Sequence, residues 1–240
     1  MQRFRRTAAG ALALLTALAF AGCAFLPGSQ EEADVPEIAE TPFTPPPAEE
    51  SGAVQFDDHA IVVGDGPIDV QAWIDPMCPI CGQFEEAAGA ELASLVDEGE
   101  ITYSIHPMNF LDRASQGTAY STRAGSALTC VAVERPEGVL DAVAALFDEQ
   151  PDEGSEGLSD EQLVELLRPF GGEGLEECIG ESRYAAWIQE SNDTALAGIE
   201  GADIEAVTGT PTLIVDGTSY KGDVTDTDAI TAFVTSGGQG

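Results

Sequence analysis

Cys78 and Cys81 are the residues of this sequence whose type and spacing most clearly suggest chemistry. The run Cys78-Pro79-Ile80-Cys81 directly follows a segment with strand periodicity and opens one with helix periodicity. At a helix N-terminus, unpaired N–H groups and the helix dipole stabilise a thiolate. A thiolate attacks a disulfide, and a second nearby cysteine can then resolve the mixed disulfide. The pair therefore predicts thiol–disulfide exchange.

Zinc binding is the main alternative for a single C-x-x-C. A structural zinc ion would need two further ligands beside the two cysteines. The chain has only two histidines, His59 and His106, and no second C-x-x-C. We therefore predict neither a metal site nor a cofactor.

The elements around the cysteine pair follow a strand–helix–strand order. Residues 68–75 alternate apolar and polar side chains and end at Pro76, as a strand does. From Cys78 the period becomes helical, and the apolar side chains that share one face are Phe84, Ala88, Leu92 and Leu95. Residues 101–105 alternate again, so the helix is predicted to cross over between two strands of an α/β unit.

The middle of the chain is predicted to be entirely helical, and strands return after it. The four predicted helices cover about residues 114–134, 138–149, 159–169 and 175–197. In the third, Ser159 and Gln162 have the spacing of a capping box. Asp216-Gly217 then separates two short strands, at 212–215 and 218–220, which is a hairpin signal. A last helix is predicted at about 226–235.

The loop Gly209-Thr210-Pro211-Thr212 precedes the return strand. Together with the strand, the C-x-x-C and the helix, it resembles the cis-proline loop of the thioredoxin superfamily. The helical block narrows the resemblance to the DsbA-like branch. The run from Val70 to Cys81, with an acid three residues before the first cysteine, is similar to the active-site strand of that branch. The resemblance covers about residues 55–236 and implies a thioredoxin-like α/β fold with a helical insertion.

The resemblance also implies a role for four residues. Cys78 matches the attacking cysteine and Cys81 the resolving cysteine. Pro211 matches the cis-proline, and Thr210 matches the residue whose backbone pairs with bound substrate.

One position departs from the superfamily pattern. Many thioredoxin-like proteins carry a buried acid six residues before the first cysteine, where it helps to move protons to or from the second. Here that position is Ala72. Asp75 is nearer, but the sequence does not place it away from solvent, so we assign it no such role.

Cys130 and Cys178 lie on the first and last predicted helices of the insert. Four cysteines of a processed chain allow three connectivities. If Cys78 and Cys81 pair locally, Cys130 and Cys178 are left for each other, and actinobacterial relatives look similar in having a second, structural disulfide. Two unpaired buried thiols are the alternative, which an exported location disfavours.

The N-terminus reads as an export signal. Three arginines, an apolar run from Ala8 to Phe20 and small residues before Cys23 predict a signal peptide over residues 1–22. A transmembrane anchor is the alternative, because the apolar stretch is nearly long enough to span. The site resembles a bacterial lipobox, with Phe20 where leucine is usual, which implies lipidation of Cys23; ordinary cleavage would leave a free thiol instead. Since the chain has five cysteines, lipidating one leaves an even four.

Composition divides the rest of the chain into a tether and a domain. Residues 23–52 are rich in proline and acids and poor in large apolar residues, which predicts a disordered tether. Residues 53–236 are predicted to form one domain, with its helical insert at about 112–200. The formal net charge of −34 makes nucleic acids and anionic lipid surfaces poor partners. We interpret this acid excess as an adaptation to solubility or salt.

These features predict a thiol–disulfide oxidoreductase tethered to the outer face of the cytoplasmic membrane by a lipid anchor. The leading hypothesis is an oxidase that introduces disulfides into exported proteins with cysteines and is recycled by a membrane redox partner. A reductase or isomerase would use the same site at another potential. A non-catalytic lipoprotein that binds peptide or solute is the alternative from a different class. We expect a moderately lowered pKa for Cys78 and a potential less oxidising than that of the strongest oxidases.

Overall fold

The structure, a computed structural model, describes residues 43–46 and 51–239. The predicted signal peptide, residues 1–22, and Cys23 lie outside the described residues, as does most of the predicted tether. Within the described ranges, no helix combines the length and the apolar character needed to cross a membrane.

A six-stranded mixed sheet forms the centre of the domain, with the strand order β1-β2-β4-β3-β5-β6. Its strands are β1 Val54–Gln55, β2 Ala60–Val63, β3 Ile68–Ile74, β4 Ile101–Pro107, β5 Thr212–Val215 and β6 Thr218–Ser219. Strands β3 and β4 are parallel, and every other neighbouring pair is antiparallel. The alternating strand β3 is therefore interior to the sheet, which fixes the place where the chain leaves it for Cys78.

Eight α-helices are described around this sheet. They are α1 Pro79–Phe84, α2 Ala90–Asp97, α3 Tyr120–Glu134, α4 Val139–Asp148, α5 Asp160–Leu167, α6 Leu175–Gly180, α7 Ala185–Ala197 and α8 Thr227–Thr235. A π-helical turn, Glu85–Gly89, connects α1 to α2. Along the chain, helices α3 to α7 all come after β4 and before β5. The predicted α/β class, with a helical insertion in a thioredoxin-like sheet, is confirmed.

Two predicted helices have different limits in the structure. The helix predicted from residue 114 begins at Tyr120, because Gln116 and Gly117 both have positive φ and turn the chain first. The helix predicted over 175–197 is divided into α6 and α7. At the break, Ser182 takes the left-handed conformation, and the N–H of Arg183 donates to the carbonyl of Cys178, as in a Schellman motif.

Two local sequence signals correspond to the expected geometry. Ser159 and Gln162 form both hydrogen bonds of a capping box at the start of α5. Asp216 and Gly217 both have positive φ between β5 and β6, as a primed hairpin turn requires. The short strands β1 and β2 were not predicted, because elements of two and four residues show too little periodicity and no Asp-Gly turn separates them as it separates β5 from β6.

The insert is built around α3, whose side chains are almost all buried. Cys130 of α3 and Cys178 of α6 are joined by a disulfide, with an S–S distance of 2.04 Å and a sequence separation of 48. Closing a loop of that length contributes about 2–4 kcal/mol to stability. The disulfide therefore links α6 to α3, the central helix of the insert.

Part of the segment predicted to be a tether contacts the domain. The ring of Phe43 lies 5.2 Å from that of Phe56 and 6.0 Å from that of Tyr184. Its backbone N–H donates to the Glu190 carboxylate at 3.2 Å. Residue 43 is thus held against the same aromatic cluster that packs under α7.

Candidate active site

Cys78 and Cys81 lie at the junction of β3 and α1. Cys78 is the N-cap residue, with extended backbone angles, and Pro79 occupies the first turn. Proline suits that position because its missing N–H would have no partner there anyway. Cys78 is 8 % exposed, whereas Cys81, one turn further into the helix, is 0 % exposed. Both are free thiols, so the structure shows the reduced site.

The surroundings of Cys78 stabilise its thiolate. A hydrogen bond from the Cys81 thiol is the main cause that lowers the Cys78 pKa, from 9.0 to about 5, against the opposing effect of burial. Further hydrogen bonds come from the Thr210 side chain and from the N–H groups of Cys81 and Ile80. In its thiol form, Cys78 donates to the Thr210 carbonyl at 3.4 Å. The lowering is larger than the moderate one expected from the sequence.

Cys81 has the opposite properties. Burial is the main cause that raises its pKa well above the ordinary thiol value, and the neighbouring Cys78 adds to the increase. The N–H of Asp75 donates to its Sγ at 3.5 Å. At neutral pH, one cysteine of the pair is therefore a thiolate and the other a thiol.

The loop before β5 faces the cysteines. The Thr210–Pro211 peptide bond is cis, and the Thr210 carbonyl lies against Cys78. Thr212 fixes the loop from its other side by donating its hydroxyl to the Gly209 carbonyl at 2.7 Å. The structure thus brings together four of the residues singled out in the sequence, Cys78, Cys81, Thr210 and Pro211, while Cys130 and Cys178 lie in the insert.

Asp75 is buried, which the sequence did not establish. Its carboxylate is 0 % exposed and accepts three hydrogen bonds. The donors are the Met77 N–H at 2.8 Å, the Leu111 N–H at 2.9 Å and the Ser121 hydroxyl at 2.6 Å. Burial nevertheless raises its pKa from 3.8 to about 6. One carboxylate therefore ties the active-site loop to the segment after β4 and to helix α3.

Gln150, just after α4, also holds the active-site loop and was not identified from the sequence. Its side-chain amide donates to the carbonyls of Pro76 and Cys78, at 2.9 and 3.0 Å. No local pattern signals this role, because both partners are more than 70 positions away in the chain. The insert thus contributes directly to the geometry of the cysteines.

An open groove with a volume of about 680 Å³ adjoins Cys78. Ile80 and Leu196 line it, and each is 45 % exposed, which makes them the exposed large apolar side chains of the described residues. Phe110 and Thr210 also face the groove, and Arg113 and Glu153 lie in its wall. Its lining can accept an extended, partly apolar peptide beside the reactive sulfur. In residues 43–46 and 51–239, no three His, Cys, Asp or Glu side chains group as metal ligands.

Comparison with known proteins identifies the class to which this fold and site belong. A family model described as Thioredoxin matches residues 58–234. Because the match covers more than half of the chain, the chain belongs to this family.

Solved structures narrow the class further. The reduced disulfide bond oxidoreductase DsbG from Mycobacterium tuberculosis shares 30% sequence identity, with a TM-score of 0.58, and the match covers 73% of this chain and 94% of that chain. Reduced DsbA from the same organism shares 29%, with a TM-score of 0.58 and coverage of 73% and 99%. The predicted DsbA-like thiol–disulfide oxidoreductase class is confirmed.

A further similarity concerns only part of a larger protein. Serine/threonine-protein kinase PknE of Mycobacterium tuberculosis is 32% identical over 111 residues, which are 45% of this chain and 20% of the kinase. The match thus spans a fifth of that curated relative. Its kinase activity is not carried over to this chain.

The thiol reactivity of the reduced site should depend on pH in a defined way. Iodoacetamide should modify one active-site cysteine, with a rate that rises through an inflection near pH 5, because the hydrogen bond from Cys81 lowers the pKa of Cys78 to about 5. Peptide mapping should place the label on Cys78 and not on Cys81, whose pKa is raised. The control is Cys81→Ala, whose inflection should move toward the ordinary thiol value. An inflection at or above about 8.5, the unperturbed value, would contradict this assignment.

Replacing Asp75 by alanine should destabilise the domain. The change leaves the buried N–H groups of Met77 and Leu111 without their acceptor, at a cost of about 2–4 kcal/mol. Because burial raises the Asp75 pKa from 3.8 to about 6, the wild-type protein loses stability as pH rises through that window. The loss caused by Asp75→Ala should therefore be larger at pH 4 than at pH 7.

Urea unfolding of the oxidised protein at both pH values measures this effect without interference from Cys78. The matched control is Asp65→Ala, which removes an exposed acid from the loop before β3, at the other end of that strand. Equal effects of the two substitutions would contradict the positioning role of Asp75.

Proposed function

We propose that the protein is an extracytoplasmic oxidase that introduces disulfides into exported proteins with cysteines. The observation that carries this proposal is the stabilised Cys78 thiolate beside a protonated Cys81. An interaction that favours the reduced site makes the disulfide form a stronger oxidant. The same interaction makes Cys78 a good leaving group when a client disulfide forms.

The reaction balances as two exchanges. A client thiolate attacks Cys78 Sγ of the oxidised site; the Cys78–Cys81 bond breaks, and Cys81 leaves as a thiolate that takes up a proton. A second client thiolate then attacks the client sulfur of the mixed disulfide, and Cys78 leaves as a thiolate. The client gains one disulfide, and the site gains two electrons and one net proton on Cys81.

The groove beside Cys78 supports a peptide-like client. Ile80 and Leu196 offer apolar contacts that do not depend on a particular side-chain order. Thr210 presents its backbone to the same groove, next to the reactive sulfur. Unfolded or loosely folded segments with an accessible cysteine fit this arrangement better than a compact protein surface does.

The Cys78 pKa favours an oxidase over a reductase. A pKa of about 5 lies between the values of about 7 for thioredoxin and about 3.5 for a strong oxidase. The potential should follow the same order, since thiolate stabilisation acts on the reduced form. The expected enzyme therefore donates disulfides but is less oxidising than the strongest oxidases.

The equilibrium potential of the Cys78–Cys81 pair tests the direction of the reaction. Titration of the protein against a glutathione redox buffer should give a value nearer to about −120 mV than to about −270 mV, the thioredoxin value. Cys130 and Cys178 should remain bonded throughout. A potential at or below the thioredoxin value would identify a reductase instead. Cys78→Ser should abolish client oxidation, and unimpaired client handling by that variant would point to a binding module.

The proposed location rests on the predicted signal peptide and on the predicted lipidation of Cys23. Lipidation would attach the protein to the membrane, where we also expect its redox partner. Cells that express the full chain should incorporate a radiolabelled fatty acid into the protein, and Cys23→Ser should remove the label and release the protein from the membrane fraction. A membrane-bound but unlabelled wild-type protein would favour an uncleaved anchor, and a released one would favour ordinary cleavage.

A further inference from the structure

A cleft lies on the other side of α1 from the peptide groove, between the helix and α4, with a volume of about 950 Å³. It extends from Pro79 and Gly82, next to the cysteines, to Asp97 at the end of α2. Two of its lining groups are unusual for a water-accessible cleft. They are the largely buried carboxyl of Glu85 and the hydroxyl of Tyr103 on β4.

Glu85 is positioned by the helix that carries the cysteines. Its N–H donates to the carbonyls of Cys81 and Gly82, so it stands one helical turn after the resolving cysteine. The π-helical turn begins at this residue, and such turns often occur at functional sites. Its carboxyl lies against Gly89, where even a Cβ would overlap with the carboxyl oxygen. The π-helical turn and Gly89 together leave a defined space for the Glu85 side chain.

Tyr103 is the second group. It is 2 % exposed, and its hydroxyl has no hydrogen-bond partner among the described residues. Burial is the main cause that raises its pKa, and the charges of Glu85 and Cys81 both act on it. A buried hydroxyl without a partner is costly, and one on which both a carboxyl and a thiol act electrostatically has the chemistry of a proton relay.

The proposed thiol–disulfide exchange requires a group that can move a proton to and from Cys81. Cys81 is 0 % exposed and must take up a proton when it leaves as a thiolate, or lose one when the site is reoxidised. Asp75 is the other buried acid nearby, but both of its oxygens already accept hydrogen bonds from Met77, Leu111 and Ser121. In the described part of the chain, Glu85 has no such set of donors, and it lines the cleft.

We infer that the Glu85 carboxyl exchanges the proton of Cys81 with solvent through the Tyr103 hydroxyl and the water of the cleft. The inference rests on the proposed thiol–disulfide exchange and specifies how its buried proton moves. When the site oxidises a client, protonated Glu85 gives its proton toward the departing Cys81 thiolate and is reprotonated from the cleft. When the site is reoxidised, the Cys81 thiol loses its proton along the reverse route.

The electrostatics of the cleft suit this role. Burial is the main cause that raises the Glu85 pKa from 4.5 to about 7, and the charge of Asp148 adds to it. At neutral pH the carboxyl is thus present in both forms, as an efficient proton donor and acceptor should be. Among the described residues, no Lys, Arg or His lines the cleft. The titratable groups that share it with Glu85 are Glu86 of the π turn, Asp97 of α2, Tyr103 of β4, and Asp141 and Asp148 of α4.

The test follows the step in which Cys81 must lose its proton. Reduced protein is mixed with oxidised glutathione: the Cys78 thiolate forms a mixed disulfide, and Cys81 then attacks Cys78 Sγ and releases glutathione as a thiolate. Rapid acid quenching and mass spectrometry follow the mixed disulfide from pH 5 to pH 9. In the wild-type protein, its decay should accelerate through an inflection near pH 7.

Glu85→Gln should remove that inflection and slow the decay at pH 7.5 by about tenfold or more, since general acid–base groups contribute at least that much. Tyr103→Phe should slow the decay and keep the inflection; it removes no hydrogen bond of the described structure, so it also serves if Glu85→Gln folds poorly. Gly89→Ala, which displaces the carboxyl without removing it, should have an intermediate effect. The matched control is Glu86→Gln, which removes the adjacent acid and should behave as the wild type.

In all variants, the alkylation inflection of Cys78 should stay near pH 5, which separates proton transfer to Cys81 from a general disturbance of the site. A Glu85→Gln protein that keeps the inflection near pH 7 and decays within twofold of the wild-type rate would overturn the inference, and an unchanged rate in Tyr103→Phe would remove the tyrosine from the route. A wild-type protein that forms no mixed disulfide at all would instead overturn the proposed function, and this inference with it.

Discussion

The hydrogen bond from the Cys81 thiol to the Cys78 thiolate is the interaction on which the rest of the site depends. It is the main cause that lowers the Cys78 pKa, and it adds to the burial that raises the Cys81 pKa, so a single contact acts on both members of the pair. The contact requires that the two sulfurs share the first turn of α1, with one at the surface of the turn and the other inside the protein. Strand β3 is an interior strand of the sheet and precedes Cys78 in the chain. Its end therefore fixes where the first turn of α1 begins.

The first turn of α1 is held in place by a buried acid, Asp75, which lies close to the Cys78 thiolate. The Asp75 charge opposes the ionised sulfur, and burial disfavours the Asp75 carboxylate itself. Its three donors offset that cost and come from three separate segments, represented by Met77, Leu111 and Ser121. Gln150 adds a fourth connection from the end of α4. The helical insert is therefore part of the active-site framework, and the Cys130–Cys178 disulfide stabilises the insert that supplies it.

Sequence periodicity predicted the elements whose side chains repeat regularly over at least one or two turns or strand lengths. Strand β3 is an example, whereas the hairpin after the cis-proline was predicted from its Asp-Gly turn and the start of α5 from the capping-box spacing at Ser159. The break between α6 and α7 was missed because Ser182 is not a residue type that announces a left-handed conformation. The burial of Asp75 was missed because its partners Leu111 and Ser121 come from distant parts of the chain. The same reason applies to Gln150, whose function exists only after folding.

The acidity of the chain acts on the chemistry only where water is excluded. With a net charge of −34, the surface field would by itself oppose a thiolate, yet charges more than about 8–10 Å away are largely screened in physiological salt. The hydrogen bonds around Cys78 are not screened, and they prevail. In the cleft on the other side of α1, the acidic side chains have a larger effect than at Cys78. There, burial raises the pKa of the Glu85 carboxyl to about 7, the charge of Asp148 adds to the increase, and no cation of the described residues lines the cleft. The effect of the acidic residues is therefore outweighed at the nucleophile, whereas in the cleft it helps to tune the group that we assign to proton exchange.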